Sequence, residues 1–339
     1  MMRKKLRTAI VAAAVALLAA PAAFAFIAEA ARDRASTLLE EIRAAQDRVR
    51  FAGRKIVDTP EGQSVFDLRA DRPGRVHAEP VVRPTGRRST PWMGRAARGR
   101  FSDPDLITEN YRLEARGHET MAGRSAERYA LLPRHAGRST YEFAVDRQNR
   151  FVLAFRATSA DGTRLYDARF ESITFDLPPR TEEKTTKPPQ ARPAGSRRVS
   201  RERVAEKDLR GAMDFAVWMP RWTPPGFKLK SLERYVIPNL GEAIMARWSD
   251  GMAGIHIIQM DAANPSWELF RGAYLGLPEA PPTSAEAGGP VAWRMRTPGG
   301  ALLDLALDGT EVLIGGQVDP DELKKMADHL RNIESPPLR

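Results

Sequence analysis

The chain has 339 residues, a formal charge of +10, 26 Pro, 25 Gly and no Cys. That length allows two separate cores, and the absence of Cys excludes both a disulfide framework and a lipid anchor on an N-terminal cysteine. The basic balance suits anionic partners.

Arg3, Lys4, Lys5 and Arg7 precede a short apolar stretch, Ile10 to Ala20, and Ala23-Phe24-Ala25 then supplies small residues for cleavage. The stretch falls short of the roughly 20 residues that span a bilayer. Residues 1–25 therefore predict a cleaved export signal and a soluble periplasmic protein, with Ala28-Glu29-Ala30 as a second cleavage site. Export makes nucleic acid an unsuitable partner. It leaves lipid headgroups, lipopolysaccharide phosphates and acidic proteins as the anions within reach.

Ala35, Leu38, Leu39, Ile42, Ala45 and Val49 recur at steps of three and four residues, which predicts an amphipathic helix over 31–49. From Phe51 the period becomes two. Residues 51–57 and 64–70 predict a hairpin about Pro60-Glu61-Gly62, and Arg75 to Val82 a further strand. Residues 83–100 break the pattern, with Arg83, Arg87, Arg88, Arg95, Arg98 and Arg100 among Gly, Pro and Trp92 and no acid. Asp103-Pro104 then starts a helical turn that ends near Asn110.

Five alternating runs follow, centred on Leu113, Leu131, Phe143, Leu153 and Ala168. Turn signals at Met121-Ala122-Gly123, His135-Ala136-Gly137, Gln148-Asn149 and Asp161-Gly162 separate them. This pattern predicts an antiparallel meander with one buried face, a curved sheet of about seven or more strands that the 31–49 helix can cover. Residues 178–212, rich in Pro, Lys and Arg, read as a linker. Beyond it, strands over 228–236, 243–248, 254–260, 302–307 and 312–314 lead to a helix capped by Asp319, with Pro320 in its first position and Glu322 completing a capping box. The predicted organisation is a signal over 1–25, a half-barrel domain over 26–177, a linker over 178–212 and a smaller α+β domain over 213–339.

His77, His118, His135, His256 and His329 are far apart, and no metal, nucleophile or phosphate-loop motif is present. Nor does any carboxylate stand in an apolar run that would raise its pKa. No catalytic, metal or cofactor site is expected. The apolar face made by Phe51, Phe66, Leu68, Phe143, Phe151, Leu153 and Phe155 reads either as ordinary core or as a cavity for acyl chains or an apolar peptide. Arg87, Arg88, Arg95 and Arg98 with Trp92 read either as a solvated loop or as a contact for lipid headgroups, because Arg forks onto phosphate and Trp favours membrane interfaces. Trp218, Trp222 and Phe227 read either as core or as the partner-binding surface of the second domain.

Three stretches, "NYRLEARGHETMAGRSAERYALLPR", "RSTYEFAVDRQNRFVLAF" and "DGTRLYDARFESITFD", resemble the N-terminal domain of the periplasmic sigma-E regulatory family (RseB/MucB type). Further on, "WMPRWTPPGFKL", "ARWSDGMAGIHIIQM" and "VLIGGQVDPDELKKMADHL" are similar to that family's second domain, in the same order. The resemblance implies a half-barrel of antiparallel strands around a helix, as in the lipoprotein carriers (LolA/LolB type), plus a smaller α+β domain. It implies a non-enzymatic protein that binds the periplasmic domain of a membrane anti-sigma factor and is released by lipid or lipopolysaccharide. A periplasmic carrier or chaperone of lipids or lipoproteins is the alternative, and homo-oligomerisation is left open.

Overall fold

The computed structural model describes residues 29–60, 62–72, 75–82, 101–175, 177, 200–237, 241–264, 267, 293–297 and 300–334. The export signal read over 1–25 lies outside these residues. Among them, no helix is long and apolar enough to cross a membrane.

Helix α1 (29–48) opens the described chain. It is followed by β1 (Phe51–Thr59), β2 (Gly62–Arg72), β3 (Arg75–Val82), the short α2 (Pro104–Asn110), β4 (Tyr111–Met121), β5 (Arg124–Pro133), β6 (Thr140–Asp146), β7 (Val152–Thr158) and β8 (Arg164–Phe175). All eight strands form one curved, open antiparallel sheet in the order β3-β2-β1-β8-β7-β6-β5-β4. The meander is as the alternation predicts. The β4–β5 turn holds Ala122 at φ 49° and Gly123 at φ 74°, the left-handed pair that a two-residue hairpin loop needs to match strand twist.

Tyr129, Phe143, Phe155 and Ala168 are cross-strand neighbours on β5 to β8. Leu39 and Ile42 of α1, both fully buried, join Phe143, Phe155, Tyr141, Tyr111 and Leu131 in one cluster. The helix thus fills the sheet's apolar face. The alternate positions on the same strands carry a ladder of charge, as a period of two requires. Asp58 accepts from Arg169 (2.6 Å), Asp167 accepts from Arg156 (2.7 Å), and Arg156 lies 3.6 Å from Glu142. This row of opposite charges crosses β1, β8, β7 and β6.

The second unit comprises β9 (Ser200–Arg203), α3 (Glu206–Leu209), β10 (Trp218–Pro220), β11 (Lys228–Ile237), β12 (Gly241–Ser249), β13 (Gly254–Asp261), β14 (Trp293–Thr297), β15 (Gly300–Leu307), β16 (Thr310–Gly316), α4 (Pro320–Asp328) and β17 (Leu330–Asn332). Seven strands pair in the order β14-β15-β16-β13-β12-β11-β9, and β10 pairs with β17 apart from them. Ile244, Ile255, Ile257, Leu303 and Ile314 meet Leu323 and Met326 of α4 in its main core.

Two local expectations are corrected. Residues 200–212, assigned to the linker by composition, belong to the second unit. Arg201 of β9 donates to the fully buried Glu233 of β11, and Leu209 of α3 is buried in the second core. A buried acid thus recruits a strand whose sequence, Ser-Arg-Glu-Arg, has no apolar residue. The capping box at α4 is also not made. Asp319 caps the helix by accepting from Asp321 N (2.8 Å), but Glu322 turns outward to Arg138 of the first unit.

Lys55 is an anomaly of the first sheet. It is 6% exposed, its ammonium lies 5.2 Å from the centroid of Phe170, and burial lowers its pKa from 10.5 to about 8. The folded state therefore binds this proton less tightly than the unfolded chain does. The resulting penalty is full below about pH 8 and disappears as pH rises towards 10.5. Lys55→Met is expected to stabilise the protein at pH 7 by on the order of 1–3 kcal/mol. The gain over the parent should shrink between pH 8 and 10.5, as read by urea unfolding at several pH values.

Candidate functional site

Most of the aromatic side chains proposed for apolar binding lie in two ring clusters. In the first, Phe51 and Phe151 (ring centroids 4.7 Å apart) meet Phe170 and Phe175 at 5.5–5.9 Å, with Leu153 fully buried in the same cluster. In the second, Phe143 stacks on Tyr129 at 5.6 Å and on Phe155 at 6.4 Å, and Phe155 stacks on Tyr166 at 5.8 Å. Phe101 closes over Phe143 at 4.9 Å. Phe51, Phe143, Phe151 and Phe155 are each 3% exposed, whereas Phe66 and Leu68 on β2 are half-buried and reach solvent. Trp92, Arg87, Arg88, Arg95 and Arg98 lie outside the described residues.

Phe227 lies in the second core, and Trp218 and Trp222 pack against that same cluster. Trp218, on β10, packs on the second core, and its backbone is clamped by Gln259, which accepts from Trp218 N at 2.7 Å and donates to Trp218 O at 2.9 Å. Trp222 is half-buried beneath Lys325, whose ammonium is 4.3 Å from the ring. Phe227 is buried, with the guanidinium of Arg138 over its ring at 5.0 Å. It is thus a member of the second core that also meets a side chain of the first unit.

A shallow groove of about 660 Å³ lies on the first sheet, and of the residues proposed for apolar binding Leu68 lines it. Register explains it. Thr174, Ala52, Arg69 and His77 are neighbours across β8, β1, β2 and β3, and Ser172, Arg54, Asp67 and Glu79 form the adjacent row. Arg54 donates to both oxygens of Asp67 at 2.9 and 3.1 Å, holding that carboxyl below its usual range. The groove is polar and half self-neutralised. The small side chain of Ala52 leaves the depression. Among the described residues no group of His, Asp and Glu is placed to hold a metal ion.

The sequence reading also missed one titratable group, Asp250. It is 1% exposed, and burial raises its pKa against the opposing effect of hydrogen bonds from Tyr111 and from the amides of Ala253 and Met252. The stretch Ser249-Asp250-Gly251 carries the ordinary signal of an exposed turn; here the turn is pressed against α2.

Residues 76–190 match the family model of the MucB/RseB N-terminal domain. Over this stretch the chain is similar to the MucB/RseB N-terminal domain. Its fold across both sheets resembles a crystal structure of MucB in complex with MucA(peri), at 19% identity and a TM-score of 0.56, covering 89% of this chain and 100% of that one. A complex structure of Pseudomonas aeruginosa MucA/MucB matches over the same shares at 20% identity and a TM-score of 0.56. No curated protein sequence matches. The MucB/RseB match thus begins within β3 and takes in the whole β4–β8 meander, where the resemblance is densest in sequence.

The burial pattern yields a prediction that separates core from accessible positions. Phe155→Ala is expected to cost about 3–5 kcal/mol, since it empties a site closed by α1. Phe66→Ala, at a half-exposed position, is expected to cost under about 1.5 kcal/mol. Equilibrium urea unfolding of the two variants reads the difference, and equal losses would contradict the assignment.

Proposed function

We propose that this protein is a non-enzymatic periplasmic regulator that binds the periplasmic part of a membrane-anchored anti-sigma factor and responds to lipid or lipopolysaccharide. The carrying observation is the MucB/RseB N-terminal match combined with a fold shared over both sheets with MucB, two of whose structures are complexes with MucA. The two-sheet body offers a broad surface suited to holding a protein segment, and its sequence has no nucleophile or metal motif to suggest turnover.

The lipid part of this reading has a physical condition. An acyl chain that enters the first sheet must displace α1, because Leu39 and Ile42 occupy the ground beside Phe143 and Phe155. Headgroup binding would then fall to Arg87, Arg88, Arg95 and Arg98, and Trp218 and Trp222 are the partner-facing candidates on the second unit.

In-cell crosslinking of the exported protein, with captured partners identified by mass spectrometry, tests the regulator role. Recovery of a single-span membrane protein with a cytoplasmic sigma-binding domain is the expected result. Recovery of many outer-membrane lipoproteins instead would make the protein a carrier. For the lipid role, changing Arg87, Arg88, Arg95 and Arg98 to Glu is expected to weaken binding to vesicles containing phosphatidylglycerol, and to flatten its dependence on salt. Unchanged affinity and salt slope would remove these residues from the lipid site.

A further inference from the structure

The two sheets meet through polar side chains. Asn110, at the end of α2, donates through Nδ2 to Gly226 O (3.1 Å) and Asp250 O (3.0 Å) of the second unit, and its Oδ1 lies 3.1 Å from His135 Nε2. Tyr111 donates to Asp250 Oδ2 at 2.7 Å. Two glycines permit this approach. A Cβ on Gly226 would stand 2.0 Å from Asn110 Oδ1, and one on Gly251 2.7 Å from Ile107 Cγ1.

Beside this fixed set lies an ion pair of different character. Arg138 sits in the β5–β6 loop with its side chain 1% exposed, donates through both terminal nitrogens to the carboxylate of Glu322, and reaches Pro225 O at 3.4 Å. Its Nε has no hydrogen-bond acceptor, and the nearer oxygen of Asp250 is 3.9 Å away and already taken by Tyr111. Glu322 is the only carboxylate bonded directly to this guanidinium among the described residues, and at 23% side-chain exposure it is open to water.

The position of Glu322 adds a second argument. As the third residue of α4 it is placed to close the helix's own capping box, yet its carboxylate is drawn across to the first unit. Gly137, at φ 74°, lies over this helix end, where an added Cβ would stand 3.7 Å from Asp319 Cβ. A buried guanidinium whose one hydrogen-bonded carboxylate is half-buried and reached by water can exist in two states. With the pair made, the charge is neutralised. With it broken, the terminal nitrogens of Arg138 lose their carboxylate and keep only the more distant Asp250, 3.9 Å from Nε, so parting of the units hydrates a poorly answered cation.

We propose that Arg138–Glu322 is a latch that locks the two sheets into one arrangement, and that its release lets the second unit move against the first. Freed, Glu322 returns to the cap of α4, which lowers the cost of the open state. The contacts of Asn110 and Tyr111 keep the latched state well defined; they do not replace the two hydrogen bonds that Arg138 gives to Glu322.

The absence of native Cys makes the test direct, because two introduced cysteines are the only sites for spin labels. Labels at the exposed positions Ala160→Cys and Ala262→Cys report one distance between the units by pulsed electron paramagnetic resonance. One narrow distance is expected with the native pair. In a Glu322→Lys background the narrow peak should be lost to a broad or second distribution, while circular dichroism stays that of the parent. The same narrow distance in a folded Glu322→Lys chain overturns the latch. If Glu322→Lys does not fold, Glu322→Ala is read by the same criteria. No partner or lipid is present, so the outcome is independent of the regulator reading.

Discussion

Asp250 is a carboxylate taken out of water at the point where two sheets meet, and its surroundings are arranged to tolerate that. A charge so buried is costly unless hydrogen bonds and a counter-charge answer it. One oxygen accepts two backbone amides of its own turn, and the other accepts Tyr111 from the opposite unit. Tyr111 is the first residue of β4 and packs edge-on against Tyr141 at 5.7 Å, so the acid is tied to the aromatic interior of the first sheet. Burial pushes the Tyr111 hydroxyl well above its ordinary pKa, which keeps it a donor at any physiological pH. Satisfying this one group ties the two units together at this point.

The first sheet is built on a different compromise. Its interior is rich in rings, and each tilted or stacked pair adds about 0.5–1.5 kcal/mol beyond area burial. α1 supplies little ring surface of its own but closes the cluster with Leu39, Ile42 and Ala45. A half-barrel sealed by a single helix has one removable wall. Whatever enters must offer contacts as good as those of three buried aliphatic side chains.

Local rules made much of this legible. Alternation about Phe143 and Phe155, the left-handed turn at Ala122-Gly123, the Pro-initiated α4 and the apolar stripe of α1 each depend on neighbours within a few residues. They appear in the structure where the sequence places them. The misreadings share one cause, which is distance along the chain. Residues 200–212 look like linker because nothing local shows that Glu233 awaits Arg201. Glu322 looks like a capping residue because Arg138 is 184 positions away. Asp250 looks like a solvent turn because α2, which buries it, lies 140 residues upstream. Of the groove over Ala52 only Leu68 was among the binding candidates, since the rest depends on the register of four strands.

The ion-paired ladder on the first sheet bears on how the protein meets charged surfaces. Residues 1–28, 83–100 and 178–199 carry sixteen Lys and Arg against two Glu, an excess of fourteen, while the whole chain carries only +10. The remaining residues, both sheets included, therefore sum to −4. The high isoelectric point of about 10.1 is a property of these three basic segments, and the described residues of the two sheets are close to neutral. With fields screened over about 8 Å at physiological ionic strength, an anionic membrane would attract the segments and not the sheets. Adhesion and selective recognition can therefore be carried by different parts of one chain, each tuned without disturbing the other.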